Sequence, residues 1–220
     1  VVDAGTDEEI CIGDSTQLSA TGGTFFVWTG AITLSDDSIF NPMAFPADTT
    51  KYFVNITDSN SCSNIDSLVV FVNRLPAIDA GTDKEICIGD SIIINATSPD
   101  AISFSWTPSA TLSNDSIATP FAKPMVTTDY IVNISDSNYC SNTDTVRVSI
   151  NSLPNADAGA DKAICIGDTA QLEASGGVIY IWDDLVTLSD DSIANPSAFP
   201  PGTTKYFVNI TDSNNCSKTD

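Results

Sequence analysis

The chain has 220 residues, 29 acidic and 8 basic, with no His and a formal net charge of −21. That balance argues against a basic patch for nucleic acid or anionic membrane, and no apolar run of 18 residues is present to span a bilayer. The absence of His removes the commonest general base, and neither a Gly-x-Ser-x-Gly elbow nor a phosphate-cradling loop occurs, so the chain reads as a non-enzyme.

In chain order the first distinctive stretch is Ile10-Cys11-Ile12-Gly13-Asp14, and it recurs unchanged at residues 86–90 and 164–168. A Trp follows each of these Cys after 17, 19 and 17 residues (Trp28, Trp106, Trp182), and a second Cys follows each Trp after 34 residues (Cys62, Cys140, Cys216). The interval from that Cys to the next Ile-Cys-Ile is 25 residues both times. Repeats at fixed spacing define the architecture: one module of about 77 residues, with boundaries at 1–76, 77–154 and 155–220.

Within a module, Gly13-Asp14 signals a turn, and residues 15–20 read as a strand with Leu18 and Ala20 facing inward. Gly22-Gly23 turns the chain into Phe25-Phe26-Val27-Trp28, aromatic and β-branched, a second strand. Copy two carries two extra residues near Ser98-Pro99-Asp100, placed in a surface loop. Pro42 and Pro46 bracket a short edge strand. The strongest strand covers 51–57, with counterparts at 129–135 and 205–211. Asp58-Ser59-Asn60-Ser61 is a hairpin turn, and residues 67–72 form the last strand. No 3.6-residue period appears. Six to seven short strands per module, with frequent turn signals, indicate an all-β sandwich. The three Trp residues are core anchors. The third copy ends at Asp220, the counterpart of Asp66 and Asp144, so its last strand is expected to be missing. Either the chain is a window on a longer array or a neighbour donates that strand.

Six Cys, two per module and never Cys-x-x-Cys, suit disulfides in an oxidising location rather than zinc. No signal peptide is visible at Val1, so the chain is expected to be mature or excised from something longer. Acidity suits solubility in saline surroundings. Divalent cations are the competing explanation, with Asp3, Asp7, Asp79, Asp83, Asp157 and Asp161 as weak calcium candidates and no other cofactor implied. The carboxylate pairs Asp36-Asp37, Asp183-Asp184 and Asp190-Asp191 read as solvated loops.

Asp-Ala-Gly-x-Asp, Ile-Cys-x-Gly-Asp-Ser, the Trp, Asn-Pro-x-Ala-x-Pro, Thr-Thr-x-Tyr and Thr-Asp-Ser-Asn-x-Cys together resemble one module family. These are the PKD-like and immunoglobulin-like tandem repeats of secreted surface adhesins of the Bacteroidota, gliding-motility adhesins among them, exported by type IX secretion. The resemblance covers the whole chain. It implies tandem seven-stranded sandwiches in an extended rod, an extracellular or cell-surface location, and a structural role as an adhesin stalk or extracellular filament. The implied partners are further repeats of the same protein and neighbouring chains in a filament. A glycan- or protein-binding adhesive module is the first alternative; a spacer beside a catalytic domain outside this window is the second.

The resemblance also implies O-glycosylation at Asp followed by Ser or Thr and a small or apolar residue. The candidates are Ser15, Ser38, Thr49, Ser67, Ser91, Ser116, Thr145, Thr169 and Ser192; eight of the nine fall at three equivalent repeat positions. Asp-Ser and Asp-Thr are also good turn residues before a strand. For the disulfides two schemes stay open. Pairing within each copy would give Cys11–Cys62, Cys87–Cys140 and Cys165–Cys216. In an immunoglobulin-like sandwich, however, Cys11 lies at the exit end, near Val69, and Cys62 at the entry end. Seven residues of strand, roughly 23 Å, then separate them, whereas a disulfide needs Cα atoms within about 7 Å. That geometry favours Cys11–Cys140 and Cys87–Cys216 between neighbouring copies, leaving Cys62 and Cys165 to pair outside the window.

Overall fold

The computed structural model describes residues 1–183 and 186–220. The first repeat contains β1 (Glu8–Cys11), β2 (Thr16–Gln17), β3 (Phe25–Trp28), β4 (Met43–Ala44), β5 (Thr50–Thr57) and β6 (Ser63–Asn73), with a single 3-10 turn at Ala31–Thr33. One sheet has the order β1-β6-β5-β3, with β1 parallel to β6 and the other pairs antiparallel. The opposing sheet is the β2-β4 pair, lengthened by single bridges Asp3 to Thr21 and Leu34 to Ala44. The second repeat runs β7 (Lys84–Cys87), β8 (Ile92–Ile93), β9 (Ser103–Thr107), β10 (Phe121–Ala122), β11 (Thr128–Ser135) and β12 (Ser141–Asn151) in the same topology. The third runs β13 (Ala170–Gln171), β14 (Ile179–Trp182), β15 (Ser197–Ala198), β16 (Val208–Thr211) and β17 (Ser217–Thr219).

The period-2 pattern of β5 fixes which face is buried. Tyr52, Val54 and Ile56 point inward while Lys51, Phe53 and Asn55 point out. They close on Leu18, Ala20, Trp28, Leu68 and Val70 to make the first core. Equivalent clusters form around Trp106 and Trp182, so each repeat has its own core. Each Trp also satisfies its indole N–H, donating to the carbonyls of Ile39, Ile117 and Ile193, all at 2.9 Å. Pro42 and Pro46 leave β4 only two residues long, as expected of an edge between prolines.

Three expectations need correction. The last strand begins at Ser63, directly after Cys62, not at Ser67, because the hairpin turn is tight enough for Thr57 to pair with Ser63. The counterpart of that strand is not missing from the third repeat: its opening residues are in place as β17, paired to β16. The strand expected over 205–211 is reduced to Val208–Thr211. The reason is register. Tyr52 pairs with Leu68 in the first repeat, and the position equivalent to Leu68 lies beyond Asp220. For the same reason residues 162–165, equivalent to β1, have no strand partner among the described residues. Among the described residues no helix is long and apolar enough to cross a membrane.

Candidate functional site

Two turns per repeat present the cysteines. At the first, Asp14 donates its amide to the Cys11 carbonyl (3.0 Å), Asp90 to Cys87 (3.1 Å) and Asp168 to Cys165 (3.0 Å). The intervening Gly13, Gly89 and Gly167 all sit at φ 94°, in the left-handed region where a Cβ is disfavoured. At the second turn an Asp carboxylate organises the backbone. Asp58 accepts from the amides of Asn60 and Cys62 (2.8 and 2.9 Å), Asp136 from Asn138 and Cys140, and Asp212 from Asn214 and Cys216. The residue before each cysteine, Ser61, Tyr139 or Asn215, takes a positive φ of 61–66°.

These turns meet across the repeat boundaries. Cys11 is bonded to Cys140 with Cα atoms 5.6 Å apart, and Cys87 to Cys216 at 5.5 Å. Both bonds span 129 residues of sequence. Cys62 and Cys165 are free and exposed. The separation within one repeat is larger than expected: Cys11 lies opposite Asn73 rather than near Val69. Eleven residues of β6 therefore separate it from the level of Cys62, about 36 Å at about 3.3 Å per residue. A bond within the folded repeat is geometrically excluded. Around the first bond a shallow cleft is lined by Ile12, Gly13 and Asp14 of one repeat, Leu75 of the connection, and Tyr139 and Ser141 of the next.

The acidic residues do structural work rather than gather. Asp3, Asp79 and Asp157 each accept from the amide two residues on, at Gly5, Gly81 and Gly159. Asp7 and Asp83 accept from the strand amides of Val69 and Arg147. The proposed calcium ligands, Asp161 included, are thus not brought together: among the described residues no group of three or more His, Cys, Asp or Glu stands close enough to hold a metal ion. Asp66 accepts from Ala4 at 2.9 Å, tying the first segment to β6, and Asp144 and Asp220 repeat the contact with Ala80 and Ala158. The Ala4 amide, then that of Ser67, holds the Asp66 carboxyl below the usual carboxylate range. Asp36 and Asp190 are lowered likewise, first by the hydroxyls of Ser38 and Ser192.

Of the glycosylation candidates, Ser15, Ser38, Thr49, Ser91, Ser116, Thr145, Thr169 and Ser192 are exposed and Ser67 is half-buried. The Ser38 and Ser192 hydroxyls each donate to their own Asp36 or Asp190 at 2.6 Å, and Ser116 donates to Asp115 at 3.0 Å. Thr49 accepts from the Val72 amide. Of the Asp183-Asp184 pair, Asp184 lies outside the described residues, as does Leu185.

One set of partners escaped the sequence reading. Buried Tyr52, Tyr130 and half-buried Tyr206 each share a hydrogen bond with a Thr hydroxyl (Thr33, Thr111, Thr187). The constant 19-residue offset between Thr and Tyr in all three repeats was the available signal.

No family model matches the chain, and no curated protein sequence matches it. Solved structures align with it at low identity. Each repeat is an all-β sandwich with its own core around a Trp. The N-terminal eight Ig domains of Down Syndrome Cell Adhesion Molecule align over 100% of this chain and 41% of that one, at 14% identity and a TM-score of 0.43. An I-band fragment of titin aligns over 100% and 95%, at 10% identity and 0.42. The PKD domain of the KIAA 1837 protein covers 39% of this chain and 92% of its own, at 19% identity and 0.30. The chain therefore spans well under half of the adhesion-molecule fragment it matches.

Proposed function

We propose that this chain is part of the shaft of a bacterial surface adhesin or extracellular filament, of the kind Bacteroidota export by type IX secretion. The observation that carries the reading is that both disulfides join neighbouring repeats and neither lies within one. A cross-bond of that kind fixes one sandwich against the next. Each sandwich is roughly 35 Å long, from strands of about ten residues at about 3.4 Å each, so stapled repeats would form a rod. Small-angle scattering of the oxidised chain should give a rod-like cross-section that loosens on reduction. A compact particle would sink the proposal.

An adhesive role has its own support. On the outer face of the β1-β6-β5-β3 sheet, Phe25, Val27 and Phe53 are exposed, and the third repeat carries Ile179, Ile181 and Phe207 at matching positions. Lys51 and Lys205 lie over the Phe53 and Phe207 rings, at 5.2 and 4.5 Å. The second repeat has Ser103 and Ser105 instead of apolar residues. Retention of the chain on a glycan array, lost on Phe25→Ser with Phe53→Ser, would establish this reading, and an array without specific signal would remove it.

Two modifications of the shaft are part of the proposal. O-linked glycans would sit on some of the nine Asp-Ser/Thr sites, most readily at Ser15, Ser91 and Thr169, which are exposed just after the cysteine turns. Native material whose intact mass equals the bare 23.2 kDa chain would refute this. Calcium is the weaker part: if it binds, the acidic junction residues would supply single carboxylates rather than a ready cluster, and stability would rise with its concentration. A melting temperature equal in chelator and in millimolar calcium would dispose of it.

A further inference from the structure

We infer that the cleft at the first inter-repeat junction binds the terminal sugar of a neutral glycan, with the Tyr139 ring as its stacking platform. The site goes beyond the shaft reading and shares no residue with the apolar sheet face of Phe25, Val27 and Phe53. Its volume is about 330 Å³. Ligand clefts start at about 300 Å³, so there is room for one end of a glycan rather than a long stretch of it. The walls are fixed before anything binds. The Cys11–Cys140 bond holds the two cysteine turns together, with Cα atoms 5.6 Å apart. Asn142 Nδ2 donates to the Pro76 carbonyl at 2.9 Å and so pins the connection that carries Leu75. A site ordered in advance loses little entropy on binding.

Tyr139 is the residue that local structure does not explain. The turn before each second cysteine needs a positive φ, and the other repeats supply small polar residues there, Ser61 and Asn215. Tyr139 takes the same conformation at φ 63°, where a bulky side chain is disfavoured. Packing does not repay that cost, because Tyr139 is 87% exposed. A disfavoured backbone conformation beside a cleft points to a role in binding. The second junction keeps Asp90, Leu153 and Ser217 at the positions of Asp14, Leu75 and Ser141, but has Asn215 in place of the aromatic ring. It therefore lacks the platform.

The lining names the ligand class. The Tyr139 hydroxyl, the Asp14 carboxylate and the Ser141 hydroxyl have no hydrogen-bond partner among the described residues, and all three residues are exposed. Beside them stand the apolar side chains of Ile12 and Leu75. A pyranose matches that mixture. Its ring C–H groups carry partial positive charge and lie on the negative face of an aromatic ring. Its neighbouring hydroxyls donate to a carboxylate and exchange hydrogen bonds with hydroxyls. No Lys or Arg lines the cleft, and the net charge of −21 repels anions, so the sugar is neutral. A basic side chain from a partner protein would meet one exposed carboxylate, and such a pair contributes little.

The test is saturation-transfer NMR on the full oxidised chain. The probes are methyl α-mannoside, methyl β-galactoside and methyl β-N-acetylglucosaminide, with arginine methyl ester as the cationic comparison. The variants are Tyr139→Asn, which the turn accommodates as it does Asn215, Tyr139→Phe, and Phe25→Ser with Phe53→Ser. Transfer to the ring protons of at least one glycoside is expected. Its apparent Kd should rise about tenfold or more in Tyr139→Asn, as when a central aromatic anchor is truncated. Tyr139→Phe keeps the ring and should retain binding, and the Phe25 and Phe53 double variant should match the wild type. No transfer to any of the glycosides, or equal affinity in Tyr139→Asn, would overturn the inference. So would tighter binding of arginine methyl ester than of every glycoside, which would assign the cleft to a basic partner. Loss of the sugar signal in the Phe25 and Phe53 double variant alone would move binding to the sheet face and equally overturn it.

Discussion

Asp66 exemplifies how single residues in this chain act as backbone partners rather than as charges. Its carboxylate receives the Ala4 amide across 62 residues of sequence, and its pKa is lowered for that reason. A group with a depressed folded pKa contributes stability above its unfolded value, near 3.9, and loses that contribution as the pH falls through the folded value. Asp66→Asn should therefore melt below the wild type at neutral pH, and the gap should close on acidification below the ordinary carboxylate range. A gap that persists unchanged at low pH would mean the side chain acts by shape alone. Ser38 carries a related consequence. Its hydroxyl proton is committed to Asp36 at 2.6 Å, so a sugar at Ser38 removes that bond while leaving the backbone amide of Ser38 on Asp36.

At the level of elements, the parallel pair of β1 and β6 decides where the cysteines go. It sets Cys11 opposite Asn73, the last residue of β6, where the chain leaves the repeat. Ile12 then donates to the Asn73 carbonyl at 2.8 Å, and Ile88 to that of Asn151 at the same distance. In the third repeat, among the described residues, 162–165 have no such strand beside them. Hydrogen exchange should find the Ile12 and Ile88 amides protected and the Ile166 amide exchanging close to the free rate. Equal protection at all three would show that the segment is held by something other than strand pairing. The pairing also shortens the loop each staple closes. With repeat one folded, unfolding repeat two opens a loop only from Asn73 to Cys140, because Cys11 and Asn73 are neighbours. On the chain-entropy estimate such a loop is worth about 4 kcal/mol rather than the roughly 5 expected for the full separation.

In the whole molecule the two bonds re-route force. The shortest covalent path from Val1 reaches Cys11, crosses to Cys140, returns along the chain to Cys87, crosses to Cys216 and ends at Asp220. It contains about 67 residues of backbone, whereas the reduced chain contributes all of its length. At about 3.3–3.6 Å per residue the limits are ~230 Å oxidised and ~750 Å reduced. Most of repeats one and three lies off the loaded path. Single-molecule stretching between the termini should show this roughly threefold difference on adding reductant. An extension limit independent of reductant would mean that the bonds do not carry the load.

The sequence by itself determined the module, its all-β character and the inward face of each main strand. Those follow from local patterns: a repeat copied three times, alternation in Tyr52-Phe53-Val54-Asn55-Ile56, and turn residues at fixed offsets. It also placed the Trp anchors, since a large apolar residue among β-branched neighbours has few stable positions outside a core. Cysteine pairing was legible only through the fold it implied, because spacing permits bonds within or between copies. Tertiary structure decided the register of β1 on β6, which moved Cys11 four residues further from Cys62 than expected and placed it against the next repeat. Register in a parallel pair joins segments some sixty residues apart, and no local pattern encodes it. The tertiary structure likewise showed that the junction aspartates bond backbone amides instead of facing one another. A carboxylate has the same sequence signature whether its partner is an ion or an N–H.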